Sequence, residues 1–247
     1  MSSSELANRS SLIYPRMLGY VATLVLHVIT AVHITTTFTR EAANDAAVKE
    51  FHDNQHKFMT VWNVYMQMLY AALGLSCDVL SLSNEGKISS LQQTLKKIRD
   101  PMFSNIVWPY AFTTSFVFWS AYSYDRSLIL PPSVDQTLTW GANHVIHTAI
   151  MPVVLWELVF RPRKTPETHM ANLMMMYGYA AGYLTVIVSS YMNTGTWVYP
   201  ILNILYGTIY FYIFLGVSVL LTQIFYSMQW YVTSILWKNL KDIKKVN

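Results

Sequence analysis

The stretch that decides the fold is Leu138-Thr139-Trp140-Gly141-Ala142-Asn143-His144-Val145-Ile146-His147-Thr148-Ala149-Ile150-Met151-Pro152-Val153-Val154-Leu155-Trp156-Glu157-Leu158-Val159-Phe160. It is long enough to cross a hydrocarbon core of about 30 Å as a helix. Yet His147 sits near its middle, with Asn143 and His144 beside it. A group that can gain or lose a proton is costly in hydrocarbon and usually faces a protein interior or a wet cavity, so such a histidine marks a candidate functional site.

Five further windows read the same way: Met17–Thr36, Phe58–Leu80, Phe103–Tyr124, Ala171–Met192 and Tyr199–Tyr226. The chain is 53% apolar, 15% aromatic and only 12% charged over 247 residues, which excludes an ordinary soluble domain. The reading is an all-α polytopic membrane protein, a single domain over 1–247 with six transmembrane helices. The first window has no small-residue cleavage site and is too long for a secretory signal, so it is read as a retained span. Cys77 is the only cysteine, which excludes an intrachain disulfide and a thiolate metal cluster.

Basic residues set the orientation. Arg9 and Arg16 precede the first span; Lys87, Lys96, Lys97 and Arg99 lie between the second and third; Arg161, Arg163 and Lys164 between the fourth and fifth; Lys238, Lys241, Lys244 and Lys245 follow the sixth. Only Arg40, Lys49, Lys57 and Arg126 lie on the other side, which places both termini in the cytosol. The net charge of +4 is then matched to membrane lipids with anionic headgroups, and no nucleic-acid partner is implied.

Between the second and third spans, Ile88, Leu91, Leu95 and Ile98 recur at helical spacing, as in a helix lying in the cytosolic interface or a solvated extension of a span. The tail repeats this with Trp230, Ile235, Trp237, Leu240 and Ile243. Trp62, Trp108, Trp140, Trp156, Trp197, Tyr199, Trp230 and Trp237 fall near span ends, where aromatic anchors belong. The final Lys244-Lys245-Val246-Asn247 is similar to a dilysine signal and points to the endoplasmic reticulum, with the plasma membrane as a second location.

Two polar stripes stand out. Thr60, Asn63 and Gln67 recur at i, i+3 and i+7 on one helical face, and Asn143, His144 and His147 form another. Polar stripes in lipid seek each other, either to join helices by hydrogen bonds or to build a site. A threonine hydroxyl is a poor nucleophile alone, but a neutral imidazole within reach can take its proton as it attacks an ester carbonyl. Burial favours the neutral, proton-accepting imidazole.

Several motifs carry a resemblance. Lys57-Phe58-Met59-Thr60 followed by Asn63 and Gln67, and Asn143-His144-Val145-Ile146-His147-Thr148 before Pro152 and Glu157, resemble the androgen-induced and androgen-dependent TFPI-regulating protein family. Ala121-Tyr122-Ser123-Tyr124-Asp125-Arg126, Gly195-Thr196-Trp197-Val198-Tyr199-Pro200 and Arg99-Asp100 support it in the same order. The resemblance implies six spans and a threonine hydrolase that cleaves fatty-acid esters of hydroxy fatty acids. Thr60 matches its nucleophile and His147 its catalytic histidine, and no cofactor is implied.

A substrate with one or two acyl chains suits a site within the bilayer, where each buried methylene keeps about 0.8 kcal/mol. Its carboxylate could be held near His56 or Lys57, although for either residue simple interfacial snorkelling is the stronger explanation. Asn63, Gln67, Asn143 and His144 are the supporting candidates, as oxyanion donors or as partners that hold the histidine. Asp78 and Glu157 read as interfacial or paired.

One tension remains: counted from the window starts, Thr60 and His147 differ in depth by about 10 Å. The expected resolution is a second helix that begins in the low fifties, with His52 and His56 at a cavity mouth. Three other readings stay open: zinc hydrolysis using His52, His56, His144 and His147; haem held by His27 and His147; and a non-catalytic membrane scaffold. Acyl-chain preference and oligomeric state are not encoded in any motif.

Overall fold

The computed structural model describes residues 12–84 and 88–237. Arg9, Lys87, the last four lysines and the dilysine end therefore lie outside the described residues, as do Leu240 and Ile243. The long helices are α1 (Ile13–Glu41), α3 (Met59–Ser83), α5 (Trp108–Tyr124), α8 (Ile150–Phe160), α9 (Met170–Thr194) and α11 (Ile209–Leu236). Between them lie α2 (Ala46–Asn54), α4 (Ser90–Met102), α6 (Pro132–Thr137), α7 (Trp140–His144) and α10 (Pro200–Leu205). All regular structure among the described residues is helical.

Among the described residues, five helical runs are long and apolar enough to cross a membrane: α1, α3, the continuous Trp140–Phe160 run, α9 and α11. The expected window Phe103–Tyr124 instead divides into a π-helical turn, Phe103–Val107, and a 17-residue α5. The expected window beginning at Tyr199 is also interrupted. The short α10 ends at a turn where Gly207 takes φ 83°, and the long helix starts only at Ile209.

The hydrogen bonds give the packing directions. Along α1, Arg16 meets Asp78 and Phe160, Tyr20 meets Glu157, His27 meets Gln67, and His33 meets Thr139. Rising numbers on α1 pair with falling numbers on both partners, so α3 and the Trp140–Phe160 run are antiparallel to α1 and parallel to each other. Gly74 permits this approach, because a Cβ there would lie 2.5 Å from the Tyr20 ring.

One end of the bundle is an ionic cluster. Arg16 grips Asp78 through two bonds of 2.8 and 3.0 Å, and Arg161 reaches the same carboxylate at 3.2 Å. Glu157 accepts from Tyr20, Tyr70, Arg161 and Arg163. These groups are buried and mutually neutralised, which is how charge is tolerated away from water. Of the basic residues expected to face lipid headgroups, Arg16, Arg99, Arg161 and Arg163 pair with acidic groups of the protein. On α4 the apolar Leu91 and Ile98 are exposed while Gln92 and Arg99 face inward, as suits an interfacial helix.

The outer surface of the long helices is apolar, with Leu18, Val25 and Ile29 on α1 and Ile213, Leu220 and Ile224 on α11 all exposed. Trp108 departs from the expected anchor role. It is fully buried, and its indole N–H donates to the Phe225 carbonyl.

Candidate active chamber

The other half of the bundle encloses a chamber of about 650 Å³, and both Thr60 and His147 line it. Its wall is mostly hydrocarbon and aromatic, drawn from α1, α3, α5, α9, α11 and the Val145–Ala149 turn. The polar groups on it include His27, Thr30, Thr60, Thr114 and His147.

Helix α3 begins one residue before Thr60, not in the low fifties as expected. Asp45 caps a separate helix, α2, by accepting from the amides of Ala47 and Val48. A 3-10 turn over Gln55–Lys57 follows, and Phe58 then takes an extended conformation (φ −86°, ψ 135°) that breaks the path. An aromatic chain explains the break. Phe38, Phe51, Phe58 and Tyr199 pack ring against ring in sequence, the first two pairs tilted and the last edge-on, with centroids 5.5, 4.7 and 5.2 Å apart. All four line the chamber, so the stretch Glu41–Gln55 folds over it as a cover.

The start of α3 is fixed by two tyrosines. The Met59 amide donates to Tyr183 Oη at 3.1 Å and Tyr199 Oη at 2.9 Å, and these hydroxyls are 2.9 Å apart. Thr60 follows in the first helical turn, where backbone amides have no intrahelical acceptor.

His147 lies on the π-helical turn Val145–Ala149. π-Turns frequently occur at functional positions. Its ring lies against Phe118 at 3.3 Å between centroids, and its Nδ1 is buried without a partner among the described residues. His144 turns elsewhere, against Trp119 and Trp140, with Nδ1 3.0 Å from Thr148 Oγ1. The expected shared face of the two histidines does not form. The wider π-turn changes the angular step per residue, so a three-residue spacing no longer brings them together.

The expected polar stripe on α3 also divides. Of its three members only Thr60 reaches the chamber, beside Val64 and Met68. Gln67 Oε1 accepts from His27 Nε2–H at 3.0 Å, and Gln67 Nε2 donates to the Ile150 carbonyl at 3.0 Å, which makes it a helix-joining group. Asn63 and Asn143 are buried off the chamber wall, and Asn63 Nδ2 and Oδ1 and Asn143 Oδ1 have no partner among the described residues.

The Gln67–Ile150 bond sets the register of two parallel helices. From it, Thr60 lies seven residues and His147 three residues toward the same end, so they differ in depth by about 6 Å, not about 10 Å.

The flanking residues are corrected too. His52 and His56 do not line the chamber mouth; Phe51 and Gln55 do. His52 Nδ1 bonds Gln55 at 3.1 Å, His56 is exposed, and Lys57 Nζ donates to Ser190 Oγ at 3.0 Å. Among the described residues no three His, Cys, Asp or Glu side chains converge as a metal site. Sequence reasoning missed Phe118 and the α2 cover, since neither carries a chemical motif. His27, which the sequence paired with His147 as a haem ligand, lines the same chamber and donates Nε2–H to Gln67.

An all-helical integral membrane protein with a largely apolar internal chamber is the class these features define. The family model for FAR-17a/AIG1-like proteins matches residues 22–231, and the chain belongs to that family. It is 33% identical to the androgen-dependent TFPI-regulating protein of Mesocricetus auratus over 160 residues, which is 64% of this chain and 67% of the relative. The Mus musculus protein of that name is 30% identical over 65% of this chain and 68% of its own length. The androgen-induced gene 1 protein of Homo sapiens is 27% identical over 76% of this chain and 80% of its own. No solved structure matches the chain significantly.

Proposed function

We propose that the protein is an intramembrane hydrolase that cleaves fatty-acid esters of hydroxy fatty acids, with Thr60 as nucleophile and His147 as base. The observation that carries this reading is that a hydroxyl and an imidazole from separate helices line one apolar chamber large enough for acyl chains. His147 takes the hydroxyl proton as Thr60 Oγ1 attacks the ester carbonyl, and returns it to the departing alkoxide, so a hydroxy fatty acid leaves. Water then attacks the acyl-threonine while His147 accepts its proton. The C–Oγ1 bond breaks, Thr60 regains a proton, and the fatty acid is released.

Thr60's own amide, in the first turn of α3, is assigned as an oxyanion donor at the positive end of the helix dipole. Phe118 holds the imidazole plane. The chain crosses the endoplasmic reticulum membrane six times, with the ionic end of the bundle and both termini in the cytosol. The cover formed by α2 then lies on the opposite side.

The test is to incubate membranes carrying wild type, Thr60→Ala or His147→Ala with a branched fatty-acid ester and measure hydroxy fatty acid release. Both variants should lose on the order of 10²–10⁴-fold in rate. Equal release from all three ends the proposal.

A further inference from the structure

We infer that the gap between α9 and α11 is the lateral portal through which a lipid hydrocarbon chain passes between bilayer and chamber, with the Tyr177–Gln223 bond as its latch. The inference rests on the reading that the chamber receives a lipid ester, and it specifies the route.

The two helices are joined at their ends. Toward the covered end, Tyr183 and Ile187 pack with Trp197 and Phe211. Toward the ionic end, Met176 packs with Tyr226, whose hydroxyl lies 2.7 Å from His169 Nδ1.

Between these clusters the facing residues do not close on each other; they line the chamber. Tyr177, Leu184 and Val219 line the chamber and are 40%, 42% and 45% exposed, so the packing between the two helices leaves them uncovered.

Across the opening, Tyr177 Oη donates to Gln223 Oε1 at 2.8 Å. A single neutral hydrogen bond contributes about 1 kcal/mol net, so it can open and reclose at little cost. Ser218 and Thr222 on α11 donate their hydroxyl protons to carbonyls of their own helix, and Leu184, Leu215 and Val219 make up the rest of this wall, which selects an alkyl chain and not a soluble ligand.

The experiment uses the full chain in phosphatidylcholine vesicles containing a diazirine-bearing stearic acid. Photolysis of the wild type should label the segments around Leu184 and Val219. Ala181→Trp, at a chamber-lining exposed position of α9, should reduce that labelling about tenfold or more. Gly182→Trp adds the same bulk one residue on, off the chamber wall, and should leave labelling near wild type.

Hydrolysis of a long-chain branched ester should fall in parallel in Ala181→Trp and stay near wild type in Gly182→Trp. Labelling confined to other helices, or equal effects of the two tryptophans, overturns the portal. Thr60→Ala should keep the labelling pattern. If wild type labels at the portal but cleaves no ester, the chemistry fails while the portal stands.

Discussion

The His147 imidazole lies nearly parallel to the Phe118 ring, at 6° between planes and 3.3 Å between centroids. An aromatic neighbour in that position restricts rotation about the histidine side chain, so the nitrogen facing the chamber keeps one direction. Phe118→Leu retains an apolar filler but removes the flat surface. It should lower kcat for a branched ester about 10–100-fold with little change in KM, since small misplacements of a reacting group have costs of that order. Unchanged kcat in a folded variant would remove Phe118 from the positioning role.

His144 provides the contrasting case. It faces Trp119 and Thr148 and is absent from the chamber wall. His144→Phe should keep ester release within about threefold of wild type, whereas His147→Phe should lose on the order of 10²-fold or more. A parallel loss in the two variants would contradict the separation of the histidines by the π-turn.

Gly74→Ala tests the approach of α1 to α3. The added methyl would sit 2.5 Å from the Tyr20 ring, whose hydroxyl is held by Glu157 at 2.6 Å and Arg161 at 2.7 Å. The ring cannot swing aside without breaking those bonds. A destabilisation of about 1–3 kcal/mol is expected, read as a lower thermal midpoint in detergent.

Asp78→Ala should be more damaging. It leaves the buried Arg16 and Arg161 without their shared carboxylate. Breaking a buried ion pair on one side costs about 3–5 kcal/mol. Adding Arg16→Met to the same protein should restore part of the thermal midpoint by removing one unpaired cation. No recovery would argue against charge burial as the cause.

Phe51→Ala tests the cover. Phe51 stands between Phe38 and Phe58 in the aromatic chain over the chamber. Its loss should open the chamber from the α2 side and lower KM for a short water-soluble ester at least about twofold, with kcat little changed. Unchanged KM would mean that soluble substrate does not enter there.

Much of this was legible from residue types alone. The density of apolar residues in long runs marked the membrane helices, because burying or lipid-solvating such runs leaves few alternatives. His147 was legible because an ionisable group in hydrocarbon is rare. The paired state of Asp78 and Glu157 followed from the same cost argument. The partners of Asp78 were not legible, since Arg16 and Arg161 are 62 and 83 residues away in the chain, whereas Glu157 meets Arg161 and Arg163 only four and six residues on.

What sequence determined by itself is composition on faces: which helices exist, which side must meet lipid, and which few polar groups require company. Regular helical spacing made the Thr60, Asn63 and Gln67 stripe visible, but not which member reaches a cavity. Tertiary structure decided that, through the rotation of α3 against α1, the break at Phe58 and the π-turn at His147. Each depends on contacts between distant segments, such as Phe51 on Phe58 and Gln67 on Ile150, whose energies no local pattern carries. The chamber is therefore a property of packing, and the residues that line it were set by helix orientation as much as by their chemistry.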